Sequence, residues 1–383
     1  MPPNELEKTT RRRQSSVLIL AAEWCLAYRT LRCAAACFDR VYVIGTKRAR
    51  PLALSFFCRS FHQLPFEDSF GAHSIAFIRR LCEALQIDWV IPSDGPTTRF
   101  LTGAAAELGP KSYPVPDTAI FDQLNDKSTF TALCQKLGLP IPRTELLPDL
   151  HIVRARFRKG NLAFPVVLKP TNREGGDGVL VLRCEGALKW VDRLQYSPVL
   201  VQEYVEGWDV SAFFLCQEGR VKREVIYYHG RYFLAFIEDQ RIADQCRKII
   251  QATNYSGVIG FDLRQRDDGS FVFLECNPRF WYNMELTMLA GANFVEAGVE
   301  GSSLDHEPFN ASLGGKVVVR PMGLLRKLPV PPSRQRIRLA VLAYLAADFP
   351  LALSTSVRNV FRASRAAAYS GSRIHSRPNK ARV

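Results

Sequence analysis

Asp262, Glu275 and Asn277 are hard oxygen donors within the run "GFDLRQRDDGSFVFLECNPRF", and such a set suits a divalent cation, Mg²⁺ or Mn²⁺. Asp268-Gly269 lies between two strand-like stretches, a strong signal for a hairpin with a two-residue turn. Folded there, residues whose numbers sum to 537 face each other, so Asp262 opposes Glu275 and Gly260 opposes Asn277. Opposed side chains on such a pair have Cβ atoms about 4.5 to 5.5 Å apart, and like charges there are destabilising. A cation would offset that repulsion, and Gly260 would leave room beside Asn277. The plainer alternative is a wet sheet face on which Arg264 neutralises both acids. Glu275, Asn277 and Arg279 alternate and are expected on one face.

Phosphate chemistry is suggested further upstream. In "FPVVLKPTNREGGDGVLVL" a strand ends at Lys169, and Gly175, Gly176 and Gly178 supply backbone amides that approach an anion without a Cβ in the way. An ordinary hairpin loop has the same look. In "PVLVQEYVEGWDV" an apolar strand ends at Gln202 and a new one starts at Val210. The backbone of Glu203 and Val205 in that turn could read a purine edge, and Asp209 could accept ribose hydroxyls. Lys127 lies in the first turn of a helix with the apolar face Phe130, Leu133, Cys134 and Leu137, capped by Asn125 or Asp126 and ended by Gly138. The helix dipole disfavours a cation there by a few tenths of a kcal/mol to about 1. Either the lysine is solvated, or an anion shares its site.

The elements that must hold these groups follow from periodicity. From Val17 to about Pro116 strands and helices alternate, which predicts a parallel sheet with crossover helices, and no GxGxxG follows the first strand. "YPVPDTAI" reads as a linker. Residues 151 to 305 read as a mixed α/β unit with several antiparallel strands.

At 383 residues, 47% hydrophobic and 23% charged, the chain has the make-up of a globular protein, which argues against disorder. The net charge of +14 is uneven: residues 331 to 383 carry ten Lys or Arg against the single acid Asp348. The ten cysteines include no CxxC pair, which argues against a disulfide framework or zinc site and for a reducing, cytoplasmic setting. Arg11 to Arg13 ahead of "VLILAA" imitate a signal peptide, but the apolar run stops at Glu23 and is read as a first strand. No stretch reaches the roughly 18 apolar residues of a membrane span.

In order, "NDKSTF", "PVVLKPTNREGGDGV", "VQEYVEGWD", "GFD" and "LECNPRFW" resemble the ATP-grasp superfamily, especially its carbamoyl-phosphate-synthase-like and D-alanine-ligase-like carboxylate-amine ligases. The resemblance covers roughly residues 17 to 300. It implies an α/β (α+β) fold in which a Rossmann-like parallel-sheet domain (15–117) precedes an ATP-grasp small lid subdomain (118–200). A C-terminal subdomain with the Mg-ATP site (201–305) and a basic helical or disordered tail (331–383) follow. Lys127 and Lys169 match the lysines that hold ATP phosphates, and Gly175, Gly176 and Gly178 the lid over the triphosphate. Gln202, Glu203, Tyr204 and Val205 match the adenine-contacting hinge, and Asp209 the ribose acid. Asp262, Glu275 and Asn277 match the magnesium ligands, and Arg279 a basic catalytic residue beside the transferred phosphoryl; Lys169 is catalytic as well. Three positions depart from the pattern: Asp177 in the lid loop, and Tyr282 and Asn283 where small residues are expected. No match fixes a substrate-carboxylate anchor, for which Arg223, Arg231 and Arg241 are candidates.

The resemblance implies a ligase that uses ATP and Mg²⁺ to join a small carboxylate to an amine through an acyl phosphate. Carbamoyl-phosphate or biotin-carboxylase-like chemistry is an alternative, as is an interaction protein with an idle ATP site. A homodimer is expected, and nucleic acid is not an expected partner. The tail alternates apolar and cationic residues, which suits a membrane surface or another acidic partner; the plainer reading is a solvated or core-covering helix followed by a disordered end.

Overall fold

A computed structural model gives the architecture and describes residues 13–65, 69–230, 232–299, 313–320, 332–349 and 351. The first unit holds a parallel sheet because its central strand is apolar on both faces. In β1 (Arg13–Ala21), Val17 and Ile19 face one core while Leu18 and Leu20 face another, all fully buried. With β2 (Phe38–Gly45), β3 (Ser60–Gln63), β4 (Trp89–Pro92) and β5 (Lys111–Ser112) it forms a sheet in the order β3-β2-β1-β4-β5. Helix α1 (Trp24–Ala35) covers one face, and α2 (Ala72–Leu85) and α3 (Gly95–Ala104) the other. This is the parallel sheet that the alternating pattern predicts.

The segment expected to be a linker is partly helical. Asp117 precedes α4 (Thr118–Asn125), and α5 (Lys127–Lys136) follows at once. Asp126 makes the break by accepting from the backbone amides of Ser128 and Thr129, an N-cap worth about 1 kcal/mol. Beyond lie β6 (Thr144–Leu147), α6 (Leu150–Arg158), β7 (Val166–Pro170), β8 (Leu180–Leu182) and β9 (Val199–Glu203). Their strands form an antiparallel sheet ordered β6-β9-β7-β8.

The largest sheet has the order β14-β13-β10-β11-β12-β15. Its strands are β10 (Trp208–Gln217), β11 (Arg220–His229), β12 (Phe233–Ile237), β13 (Gly257–Gln265), β14 (Phe271–Asn277) and β15 (Val317–Val319). One face buries Phe214, Phe261 and Phe273 under α5 and α7 (Gln240–Ala252). The other carries Phe213, Leu215, Tyr227 and Phe236 into a core shared with α1, α8 (Met284–Ala290) and α9 (Phe294–Val299). That shared core fixes the first unit against the large sheet.

The basic tail is not uniform. Helix α10 (Pro332–Ala346) packs on β15 and α8, and the Arg32 guanidinium lies 3.8 Å from the centre of the Tyr344 ring. Asp348, the only acid of that stretch, is fully buried and accepts from Ser55 Oγ at 2.5 Å and the Phe56 amide at 3.3 Å. Residues 352–383 lie outside the described residues. Among the described residues no helix is long and apolar enough to cross a membrane.

Candidate functional site

Asp262 faces Glu275, and Gly260 faces Asn277, across β13 and β14. The turn between them differs from the two-residue turn expected: Arg266 and Ser270 close it, and three residues, 267 to 269, lie between. Gly269 takes φ +81°, which the third position of such a loop requires. Next to the turn the register is therefore 265 with 271 and 263 with 273, one residue away from the expected sum. Leu274 then has no partner of its own, a β-bulge that restores the register at Asp262. The bulge also decides which face carries the acid. Strict alternation would place Glu275 with Phe271 and Phe273, under the helices; after the bulge Cys276 takes the core position instead.

Gly260 does not serve Asn277. A Cβ there would stand 2.1 Å from the Phe213 ring, so the glycine makes room for that ring, which stacks on Trp281 at 4.0 Å. Arg264 does not neutralise the acid pair either: its Nη2 lies 2.9 Å from Asp209.

Around the carboxylates the structure gathers cations. Lys127 Nζ lies 3.3 Å from Glu275 Oε2 and donates to the Arg173 carbonyl at 2.8 Å, so the anion sharing its helix N-terminus is, in this structure, Glu275. Lys169 Nζ donates to Gln202 Oε1 at 2.7 Å. Both lysines are only 7% exposed, which makes their charge expensive unless paired. Burial pulls Lys169 down to about 8, against the opposing pull of Glu275. Burial by itself would raise Glu275, but Lys127 and then Lys169 hold it below its ordinary value. Asp262 is pushed up, by burial and by Glu275. Two acids and two lysines thus share one buried site.

Asn277 bridges the two kinds of charge. Its amide nitrogen donates to Asp262 Oδ2 at 3.0 Å and its amide oxygen accepts from Arg279 Nη2 at 2.8 Å. Arg279 is 6% exposed, and its Nε lies 3.1 Å from Glu174 Oε2 of the loop between β7 and β8. Glu174 in turn sits over Gly95 at the start of α3, where a Cβ would be 1.9 Å from its carboxylate. Next to Gly95, Asp94 accepts from the amides of Ala22, Glu23 and Thr97, and so ties the ends of β1 and β4 together beneath the site.

The loop glycines Gly175, Gly176 and Gly178 all take positive φ, between +63° and +76°. Asp177 turns to Arg173, 3.3 Å away, rather than into the site. At the end of β9 Gln202 is buried, but the Glu203 amide donates to the Arg143 carbonyl at 2.8 Å, so that amide is not available to a purine. Val205 is buried beside it, and Tyr204 Oη accepts from Arg183 at 2.7 Å. Tyr282 Oη donates to Glu23 Oε1 at 3.0 Å, and Asn283 stands at the N-cap position of α8 without a side-chain capping bond. Among the candidate anchors, Arg241 pairs with Asp239 on the surface and Arg223 donates to the Asn293 carbonyl; Arg231 lies outside the described residues.

For a cation the donor set fits: two carboxylates and an amide, with Asp262 raised by burial and by Glu275. The Asn277 amide has its nitrogen towards Asp262, the orientation that a bare carboxylate imposes; a cation would face its oxygen. Among the described residues no three His, Cys, Asp or Glu gather, so a site here depends on the amide.

Four residues escaped the sequence reading: Glu174, Ser211, His229 and Arg320. Ser211 lies directly opposite Asp262, two residues along the strand from Asp209. Alternation puts Ser211 and Asp209 on one face, but β10 and β13 are not consecutive, so no turn in the sequence sets their register.

A parallel-sheet unit, a small antiparallel sheet and a large antiparallel sheet that brings lysines, acids and an arginine together make up an ATP-grasp fold. More particularly, residues 195–318 match the family described as ATP-grasp in the biosynthetic pathway with Ter operon. Over 231 residues the chain is 27% identical to the carbamoyl phosphate synthase large chain of Methanosphaerula palustris, covering 53% of this chain and 22% of that one. Over 212 residues it is 22% identical to the D-aspartate ligase of Enterococcus faecium, covering 48% of this chain and 50% of that one. The chain thus spans about a fifth and a half of the length of these relatives. Carboxyaminoimidazole ribonucleotide synthase from Aspergillus clavatus, solved with ATP, has the same fold at TM-score 0.61 and 15% identity, covering 80% of this chain and 81% of that one.

Proposed function

We propose that the protein is an ATP-dependent ligase that joins a small carboxylate to an amine. The observation that carries this reading is the convergence of Lys127, Lys169 and Arg279 on the Asp262–Glu275 pair, three buried cations around one set of oxygen donors. Lys127 and Lys169 would hold the phosphates of ATP, under the lid of Gly175, Gly176 and Gly178. The Glu203 carbonyl and the Val205 amide would read the purine, with Gln202 and Tyr204 shaping its pocket and Asp209, steadied by Arg264, accepting from the ribose. Asp262, Glu275 and Asn277 would hold Mg²⁺ or Mn²⁺, which when bound neutralises phosphate charge.

A substrate carboxylate oxygen attacks the γ-phosphorus and ADP departs, leaving an acyl phosphate. The amine then attacks the acyl carbon, phosphate leaves and the amine loses a proton. The protein's share is positioning and charge neutralisation, with Arg279 and Lys169 beside the transferred group. Similarity to D-aspartate ligase supports the amide outcome. Phosphate release from ATP, measured against a panel of amino acids and small carboxylates with mass measurement of the product, tests it; no amine-dependent release with any of them counts against it.

Similarity to a carbamoyl phosphate synthase chain supports a second reading, phosphorylation of bicarbonate. ADP formation that depends on bicarbonate, without an amide product, selects it. The basic end of the chain supports contact with an anionic membrane surface, tested by sedimentation with anionic vesicles with and without residues 352–383. A homodimer is tested by light scattering.

A further inference from the structure

Ser211, His229 and Arg320 form a chain of hydrogen bonds that ends on Asp262. Arg320 Nη2 lies 3.2 Å from His229 Nδ1, His229 Nε2 lies 2.7 Å from Ser211 Oγ, and Ser211 Oγ lies 2.5 Å from Asp262 Oδ1. The direction of the chain follows from what each group is able to do. A guanidinium only donates, so His229 Nδ1 accepts. An imidazole that accepts at Nδ1 carries its proton on Nε2, and that N–H donates to Ser211. The hydroxyl hydrogen of Ser211 is then left for the Asp262 carboxylate. Each contact determines the next.

The three residues come from separate parts of the large sheet. Ser211 is in the middle of its strand and directly opposite Asp262, His229 ends the neighbouring strand, and Arg320 follows the short edge strand β15 with its own amide bound to the Tyr232 carbonyl at 2.7 Å. Ser211 is 2% exposed, so water does not replace it as a donor. The two oxygens of Asp262 are thereby divided: Oδ1 is held by the chain, and Oδ2 faces Asn277.

We propose that Ser211, His229 and Arg320 are positioning residues for the cation site, holding Asp262 by Oδ1 so that Oδ2 is the oxygen presented to the metal. This rests on the cation reading of Asp262, Glu275 and Asn277. Partners of this kind, one bond removed from a metal, typically contribute about 10- to 100-fold in metal affinity.

The test compares affinity for MnADP with affinity for ADP in the presence of EDTA, on the full chain, so that the ratio isolates the metal. Asp262→Asn should abolish the gain from Mn²⁺. Ser211→Ala and His229→Leu should reduce it by about tenfold, and His229→Gln, which keeps a donor and an acceptor, should recover most of the loss seen with His229→Leu. If Asp262→Asn loses the gain while Ser211→Ala and His229→Leu keep it, the positioning chain is overturned and the cation site stands. If Asp262→Asn keeps it, the cation reading itself fails. Equal losses in His229→Gln and His229→Leu also overturn the chain. Should the Leu variant fail to fold, ¹⁵N shifts of the His229 imidazole in the unaltered protein decide: a proton on Nε2 is expected, and one on Nδ1 overturns the proposal.

Discussion

Asp262 stands opposite Glu275 because the hairpin between them is irregular twice, once at a three-residue turn and once at Leu274. Each irregularity moves the register by one residue, in opposite senses. The turn depends on Gly269 at φ +81°, a conformation that costs a side-chain-bearing residue about 1 to 2 kcal/mol. Gly269→Ala should therefore lower stability by about that much, measured by urea denaturation. Unchanged stability would mean that the turn relaxes to a two-residue form, in which Asp262 meets Glu275 without any bulge at Leu274.

Lys169 gives the site a pH signature. Its native value of about 8 lies below the roughly 10.4 of an unfolded chain, so between those pH values the unfolded state holds a proton that the native state lacks. Through this residue stability rises with pH across that window, and Lys169→Met should remove the rise. An anion beside Lys169 restores its proton. At pH 8, where the group is half protonated, ADP binding should take up roughly half a proton. Calorimetry in buffers of different ionisation enthalpy reads this directly, and the same uptake in Lys169→Met would assign it to another group.

How much of this was legible in the sequence depends on how local each signal was. The parallel sheet was, because β1 is apolar on both faces and alternates with helices. The capping of α5 was, because Asp126 and Gly138 bracket its apolar stripe. Counting from the two-residue turn that Asp268-Gly269 predicts pairs Asp262 with Glu275 only because the bulge at Leu274 cancels the longer turn. Nothing in a run of Phe, Val, Phe and Leu announces which residue will be skipped. Arg264 illustrates the opposite limit: its charge was visible, but its partner, Asp209, lies on a strand far away in sequence. Ser211, His229 and Arg320 converge only once four strands have been laid side by side, so no spacing in the chain reports them. The loop residue Glu174 reads as one more exposed acid until Arg279 and Gly95 are seen to enclose it.

Gly260 offers a test of the packing behind the site. A methyl group there meets the Phe213 ring, which is buried and stacked on Trp281. Gly260→Ala should destabilise the fold by about 1 to 3 kcal/mol, the range for an overpacked core. Tryptophan fluorescence should shift with it, since Trp281 is the neighbour that has to give. A variant as stable as the parent, with unaltered fluorescence, would show that β13 moves instead.

Glu275 is where the proposed chemistry and the electrostatics of the fold are hardest to separate, so the choice of substitution matters. Truncation to Ala leaves Lys127 and Lys169 buried without their common carboxylate, and a charge stranded in this way destabilises by several kcal/mol. A loss of activity in that variant would be ambiguous. Glu275→Gln keeps the volume and an oxygen near Lys127 while removing the negative charge that a cation needs. With melting held within a few degrees of the parent, Mg²⁺-dependent ADP formation should fall by about 100-fold or more, the usual scale for one electrostatic group in a transition state. Raising Mg²⁺ should recover part of the loss if the charge serves cation binding, and none if it serves only to hold Lys127. Turnover at the parental rate in the Gln variant would remove Glu275 from the cation site.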